Sequence, residues 1–437
     1  MSRVSRPRLI LFAGGDFAFN LYWQSVMLYL LFYYTDALGL PMATAAAIYL
    51  AASIWDGIAS FAVGALADRL GSARRYRLAL VAGAVPLGAA FALAYWPVAA
   101  GIGFVLAGHM LFRTAYALVN IPYLAMSARV SADSRDRALV AGLRMLAGTM
   151  AAVVVAAGTV PLGERLSGGS AGPPAFFAAA LLFAAIGAAL LLWVGATFRD
   201  AVPGPPASGG SVRAALGSVA RNRAFLTLSG AMMAMIVATT MLNKSVLYYF
   251  KYFLHDEAAG QLALASMMAV SAAAVPVWML VARWIGVRRL WFVAVALNSL
   301  GLALFALADL PRAGAMQLFL MAMQAATVGL HFAFWAMLPD TVEWGQRAGG
   351  ARSEGTVFGL AALLQRVAIG LATALLGASF GEAGYTANIA QSPQTLAEMR
   401  WTIALVPLGF FLLSGLLMAL NPLKPGAHDA VVRELAG

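Results

Sequence analysis

The sequence contains no cysteine, only four histidines and few charged residues. The absence of cysteine excludes disulfides and thiolate metal sites. The histidines are scattered without ligand spacing, and the chain has neither a Walker-type phosphate-binding loop nor an HExxH pattern, so nothing supports an ATPase or a metalloprotease. Charged residues make up 11% of the chain, against about 25% in soluble domains. Water therefore cannot be the solvent for most of this surface.

The residues that are present are mostly apolar, with 62% hydrophobic residues and a mean hydropathy of +0.82. A chain of 437 residues accommodates twelve spans of about 20 residues with short loops. The first apolar run follows several arginines but is too long for a signal peptide, so it counts as a span. The sequence predicts an all-α membrane protein with spans at about 9–35, 44–67, 78–97, 99–126, 138–161, 174–198, 224–252, 260–282, 290–308, 314–338, 356–380 and 401–421.

A polar stretch rich in proline and glycine, residues 199–223, separates two sets of six spans. It predicts a flexible cytoplasmic linker between an N-terminal bundle, 1–198, and a C-terminal bundle with a short tail, 224–437. The halves resemble each other, since an arginine- and glycine-containing loop follows the second span of each, at 69–75 and 283–289. Parallel six-span repeats predict a substrate site between the halves near the bilayer midplane.

The basic residues fall almost entirely on one side of this arrangement. Of the 29 Lys and Arg, 21 lie on one side, and Arg165, Arg312 and Arg400 lie on the other. The positive-inside rule then predicts a multi-pass protein of the bacterial inner membrane with both termini in the cytoplasm. The formal charge of +11 is therefore explained by orientation in the bilayer and does not call for a nucleic-acid partner.

The loop after the second span, 64–75, has the sequence GALADRLGSARR. It resembles the loop motif of the major facilitator superfamily, and the resemblance assigns Gly64, Asp68, Arg69 and Arg75 to that motif. An acid and arginines at helix ends on the cytoplasmic face suit the joining of two spans. The alternative interpretation is an ordinary positive-inside loop with a glycine turn.

Further motifs narrow the resemblance: GDF at 15–17, IWD at 54–56, NIPY at 120–123, YYFKY at 248–252 and PDTVEWGQ at 339–346. Their order along nearly the whole chain resembles the glycoside–pentoside–hexuronide:cation symporters, the family that includes melibiose permease. The resemblance implies a major facilitator fold of two pseudo-symmetric six-helix bundles. It also implies secondary active transport by alternating access, with a small-molecule substrate and no cofactor.

Polar residues within the spans form the candidate site. An ionised side chain at mid-bilayer costs about 2.5–3.5 kcal/mol on the insertion scale, so it faces a cavity or a partner. Counting about 1.5 Å per residue from the cytoplasmic ends places six polar residues about 12–18 Å deep, in one layer. They are Asp16, Asp56, Asn120, Arg144, His331 and Arg366.

The resemblance implies that Asp16 on span 1 and Arg144 on span 5 hold sugar hydroxyls. Asn120 replaces an acid of the family on span 4, and Arg366 stands where the family has a lysine on span 11. Two arginines against one aspartate favour a substrate with an acidic group, such as a hexuronide. The alternative is an Asp16–Arg144 ion pair that only ties two spans together.

Two further residues have open roles. Trp23 lies seven residues from Asp16 on the same helix face and stacks either on a sugar ring or on neighbouring helices. His331 is either a proton carrier or a hydrogen-bonded cavity residue.

Residues of the second span indicate which ion is coupled to transport. The family's sodium site has two acids four residues apart on span 2 and an acid on span 4, whereas this chain has Asp56, Ser60 and Asn120. One carboxylate with neutral oxygens is a poor cage for a metal cation, and burial favours the protonated form of a carboxyl group. Proton coupling is therefore favoured over sodium, with uncoupled transport as a third possibility. Arg113 on span 4 could pair with Asp56.

Other function classes compete with sugar symport. A transporter of amphipathic anions such as lysolipids and a drug exporter both fit a twelve-span chain. A membrane enzyme is disfavoured because no nucleophile–base pair or metal-ligand set is visible. We expect a monomeric carrier whose partners are its substrate, a proton or sodium ion, and the lipid bilayer.

The lack of cysteine makes the topology directly testable. A single cysteine at Ser208, in the predicted linker, should be labelled by an impermeant maleimide only after the membrane is opened. A cysteine at Ser170, on the predicted outer side, should be labelled in intact cells. Labelling of position 208 from outside would contradict the assigned orientation.

Overall fold

A computed structural model describes residues 6–70, 73–98, 101–127, 130, 134–198, 217, 219–308, 310, 312–347 and 354–424. Within these residues the protein is helical and contains no β-strand. Most of the predicted linker lies outside the described residues. So do the side chains of Asp68 and Arg69 in the loop motif.

Six long helices form the first half: α1 Arg6–Phe32, α2 Met42–Leu70, α3 Ala73–Ala94, α4 Ile102–Ser127, α5 Ser134–Leu166 and α6 Pro173–Thr197. A short π-helix, Tyr33–Ala37, continues α1. Six more form the second half: α7 Arg223–Tyr252, α8 Glu257–Ile285, α9 Val287–Leu307, α10 Ala313–Arg347, α11 Glu354–Glu382 and α12 Pro393–Ala419.

Eleven of these twelve helices are long and apolar enough to cross a bilayer. The remaining helix, α1, is as long as the others, but Asp16, Asn20 and Gln24 interrupt its apolar sequence. These side chains recur every four residues and therefore share one side of the helix. The predicted all-α membrane fold is confirmed, and its first helix is the one whose polar side chains need partners.

The chain divides into two compact units: one comprises Met1–Ser208, Leu264–Ala269 and Thr386–Ile389, and the other comprises Gly209–Ala263, Val270–Tyr385 and Ala390–Gly437. Their main helices pack in the same order. In the first unit α1 packs on α5 and α6, and α3 packs on α4 and α6. In the second, α7 packs on α11 and α12, and α9 packs on α10 and α12. This correspondence is the pseudo-symmetry that the repeated loop sequences predict.

Tyrosines of α1 fix its position in the first unit. The Tyr22 hydroxyl donates to the Ala184 carbonyl of α6, and the Tyr29 hydroxyl donates to the Ala156 carbonyl of α5. A Cβ atom at Gly187 would lie 2.2 Å from the Tyr22 hydroxyl oxygen, so only glycine leaves room for that contact. Small residues that admit close approach are the usual means of packing helices in lipid.

In the second unit, α9 and α12 each carry an arginine that caps the C-terminal end of the other helix. Arg288, at the start of α9, donates to the carbonyls of Ala419 and Asn421 at the end of α12. Arg400, on α12, donates to the carbonyls of Phe305 and Ala308 at the end of α9. The last carbonyls of a helix have no partner within the helix and carry partial negative charge, so a guanidinium satisfies both needs.

Candidate functional site

An ion pair between α1 and α5 is the centre of the first polar cluster. Arg144 Nε and Nη2 donate to the two carboxylate oxygens of Asp16, and the Nη2–Oδ1 distance is 3.2 Å. This two-point geometry is the strongest arrangement that arginine and a carboxylate can form. The pair is only partly buried: 21% of the Arg144 side chain and 16% of the Asp16 side chain are exposed.

Tyr123 of α4 completes this cluster. Its hydroxyl lies within hydrogen-bond distance of both Asp16 Oδ2 and the Phe12 carbonyl, and its ring lies 5.5 Å from the Arg144 guanidinium carbon. Gly15 makes the approach possible, because a Cβ atom there would stand 2.5 Å from the tyrosine ring. The pair therefore joins three helices around one carboxylate.

A second ion pair lies between α2 and α4 and is fully buried. Arg113 Nη1 lies 3.1 Å from Asp56 Oδ2, with 1% and 0% of the two side chains exposed. Ser60 donates to Asp56 Oδ1 over 3.4 Å, and Arg113 Nε donates to His109 Nε2 over 3.2 Å. Because the guanidinium is the donor in that contact, His109 accepts through Nε2 and is neutral.

Aromatic rings flank the Arg113 guanidinium. Its central carbon lies 5.0 Å from the centroid of Trp23 and 5.7 Å from that of Tyr49. Such contacts attract a cation to the electron-rich ring face, and they strengthen where water is excluded. Trp23 also contacts Tyr116, so the structure gives it a packing role beside any contact with substrate.

The side chains His109, Arg113, Tyr116, Asn120 and Tyr123 follow one face of α4 at alternating intervals of four and three residues. The two clusters thus occupy the two ends of one helix face, about 15 Å apart by helical rise from Arg113 to Tyr123. Asn120 is half-buried between them.

The structure pairs Asp16 with Arg144, the arrangement that the sequence offered as the alternative to substrate binding, and it pairs Asp56 with Arg113. The sequence did not single out Tyr123 or His109 as partners of these charges. The four-and-three spacing along α4 is the signal from which both could be found.

The other predicted residues lie on separate helices. In the second unit, His331 of α10 approaches the Thr327 carbonyl at 3.3 Å, and Arg366 of α11 is half-buried. In the first unit, Gly64 lies on α2 and Arg75 is exposed near the start of α3. The roles of these residues stay predictions.

A sequence model of the family described as MFS/sugar transport protein matches residues 11–424. The chain belongs to this family. It is a multi-pass membrane transporter of the sugar class, which agrees with the resemblance drawn from its motifs.

Named relatives cover nearly the whole chain. It is 25% identical to the glucuronide carrier protein homolog of Escherichia coli K12, over 99% of this chain and 96% of the relative. It is 27% identical to a putative sulfoquinovose importer of Salmonella typhimurium LT2, over 92% and 87%. A solved bacterial homologue of the human drug peptide transporters PepT1 and PepT2 matches with a TM-score of 0.73 at 12% identity, covering 99% of this chain and all of that structure. This structural similarity shows that the two chains share a fold. Relatives and solved structures alike are transporters, not enzymes.

Two adjacent glycines test the first cluster. Gly15→Ala should push the Tyr123 ring from Asp16 and cost about 1–3 kcal/mol, because a buried hydroxyl and a carboxylate lose their bond. Gly14→Ala is the matched control, since a Cβ atom there meets nothing within 4 Å. Thermal unfolding of the purified variants should show a lower Tm for Gly15→Ala alone. Equal behaviour of the two variants would contradict the described contact.

Proposed function

We propose that this protein is a monomeric symporter of the bacterial inner membrane. It imports a glycoside or sugar acid with a proton by alternating access, and both of its termini are cytoplasmic. The observation that carries the proposal is the partly exposed Asp16–Arg144 pair held by Tyr123.

The exposure of this pair supports a binding site over a purely structural tie. The Asp56–Arg113 pair has almost no exposed surface, as a structural or proton-carrying pair should. Asp16 and Arg144 each keep part of their side-chain surface exposed, and Asp16 takes two of the five N–H donors of the guanidinium. The remaining donors can bind substrate oxygens. The carboxylate has lone pairs for vicinal sugar hydroxyls.

Charge supports an acidic sugar over a neutral one. Asp16 neutralises Arg144 but takes only two of its donors, and Asn120 is neutral where the family has an acid. A carboxylate or sulfonate on the substrate could accept hydrogen bonds from the donors of Arg144 that Asp16 leaves. The names of the relatives, a glucuronide carrier homolog and a putative sulfoquinovose importer, refer to sugars that bear such groups.

Asp56 is the proposed proton carrier. Asp56 is paired with Arg113. When Asp56 is protonated and loses its charge, the guanidinium must therefore have other partners. His109 Nε2 and the rings of Trp23 and Tyr49 are in place for this. Ser60 can donate to the ionised carboxylate or accept from the protonated one. Asp56 can thus change its protonation state while Arg113 stays where it is.

Removal of the arginine charge tests the substrate site. Arg144→Gln should abolish uptake into proteoliposomes, because Asp16 loses its two-point partner and the substrate loses a charged donor. Arg165→Gln, at the exposed end of the same helix, is the control and should transport like the wild type. Uptake is measured for a glucuronide, sulfoquinovose, a neutral disaccharide and a lysolipid. Normal transport by Arg144→Gln contradicts the site, and transport of the lysolipid alone assigns another substrate class.

A substitution at Asp56 tests the coupling. Asp56→Asn should still exchange labelled substrate across the membrane, while accumulation driven by a pH gradient disappears, because the amide cannot bind or release the proton. Asp16→Asn is the contrast and should lose both activities. Size-exclusion profiles verify that each variant is folded. Retained pH-driven accumulation in Asp56→Asn would contradict the assignment of Asp56.

A further inference from the structure

The contact between Arg113 and Asp56 places a permanent positive charge beside the proposed coupling carboxylate. Arg113 Nη1 lies 3.1 Å from Asp56 Oδ2, and Ser60 takes the other oxygen at 3.4 Å. Arginine stays protonated at any physiological pH. The cluster of Asp56, Arg113 and neutral His109 therefore has no net charge.

A metal cation at Asp56 would meet two obstacles. It would have to share the carboxylate with a guanidinium in surroundings from which water is excluded, where repulsion between like charges is strong. The second obstacle is the ligand set: among the described residues no group of three or more His, Cys, Asp or Glu side chains could surround the ion, and the side chain bonded to the other oxygen of Asp56 is the neutral Ser60. Sodium could enter only if Arg113 left.

The guanidinium is held by more than its ion pair. Arg113 Nε donates to His109 Nε2 at 3.2 Å, and the rings of Trp23 and Tyr49 lie 5.0 and 5.7 Å from its central carbon. These contacts come from α1, α2 and α4 and do not depend on the charge of Asp56. Displacement by a metal would break all of them.

A proton also adds positive charge beside Arg113, but it needs neither the place of the guanidinium nor further ligands. It binds directly to a carboxylate oxygen, needs no coordination shell, and leaves a carbonyl oxygen that can still accept from Arg113. The titratable or charged groups that the described residues place around this carboxylate include Arg113, His109 and Tyr49, with Tyr34 against the histidine ring. Only Arg113 among them has a fixed charge.

We propose that Arg113 determines the ion specificity of the carrier: its guanidinium occupies the place that a sodium ion would need at Asp56, and so restricts coupling to protons. The proposal rests on the proposed function in that Asp56 is the coupling acid. Arg113 affects ion binding only through Asp56, so it is a positioning residue.

Two neutral variants test it by a gain of sodium binding. Arg113→Met keeps apolar bulk, and Arg113→Gln keeps a hydrogen-bond donor for Asp56. Each purified variant is heated in sodium chloride and in choline chloride of equal ionic strength at one pH. We expect the Tm of the wild type to be the same in both salts. The variants should gain a few degrees in sodium, because an ion that binds only the folded state stabilises it.

A double variant, Arg113→Met with Asp56→Asn, controls for effects unrelated to the carboxylate. It should lose the sodium response, since the amide offers no charge to the ion. A general loosening of the bundle would not create a difference between sodium and choline. Proteoliposomes with a sodium gradient at clamped pH extend the test to transport, where the single variants should accumulate substrate and the wild type should not.

The outcomes are separable. Sodium stabilisation of the wild type overturns the proposal, and so does a folded Arg113→Met or Arg113→Gln without a sodium response. If neither variant folds, the wild-type titration decides by the same criterion. The thermal measurement needs no substrate. A sodium response in the variants together with failure of every sugar in the uptake assay would therefore leave the ion specificity standing and reject the proposed substrate class.

Discussion

An ionised side chain inside a bilayer must find a partner of opposite charge, and this constraint organises the first unit. Asp16 is paired with Arg144 and Asp56 with Arg113. The first pair joins α1 to α5, and the second joins α2 to α4. Tyr123 then ties α4 to α1 through the Asp16 carboxylate. The bonds that stabilise these charges in the bilayer therefore also hold the helices together. This matters because lipid provides little hydrophobic force between helices.

The two pairs differ in their access to water, and this difference separates their chemistry. A pair with exposed surface can exchange part of its hydrogen bonding with an incoming ligand, which is the role proposed for Asp16 and Arg144. A pair without exposed surface admits no molecule larger than a proton unless the helices move, as with Asp56 and Arg113. Both pairs contact the same face of α4, so a shift or rotation of this one helix would alter both.

Much of this arrangement could be predicted from the sequence. The apolar runs define the helices, and the cost of buried charge selects Asp16, Asp56, Arg113 and Arg144. The partners Tyr123 and His109 could not be assigned in the same way. An aromatic or imidazole side chain is inexpensive enough in a span to have no partner, so the spacing along α4 marks one face of the helix without showing which contacts its side chains make. Helix rotation, and with it the pairing of Tyr123 with Asp16, depends on the close fit at Gly15.

The reciprocal arginine caps of α9 and α12 have a consequence for biogenesis. Helix α9 leaves the ribosome well before α12, yet the carbonyls at its end are satisfied by Arg400 of α12. Arg288 of α9 in turn waits for the end of α12. During synthesis, a nascent chain with α9 but without α12 holds one uncapped helix end and one arginine without its acceptors. Both needs are met together when the final helix docks.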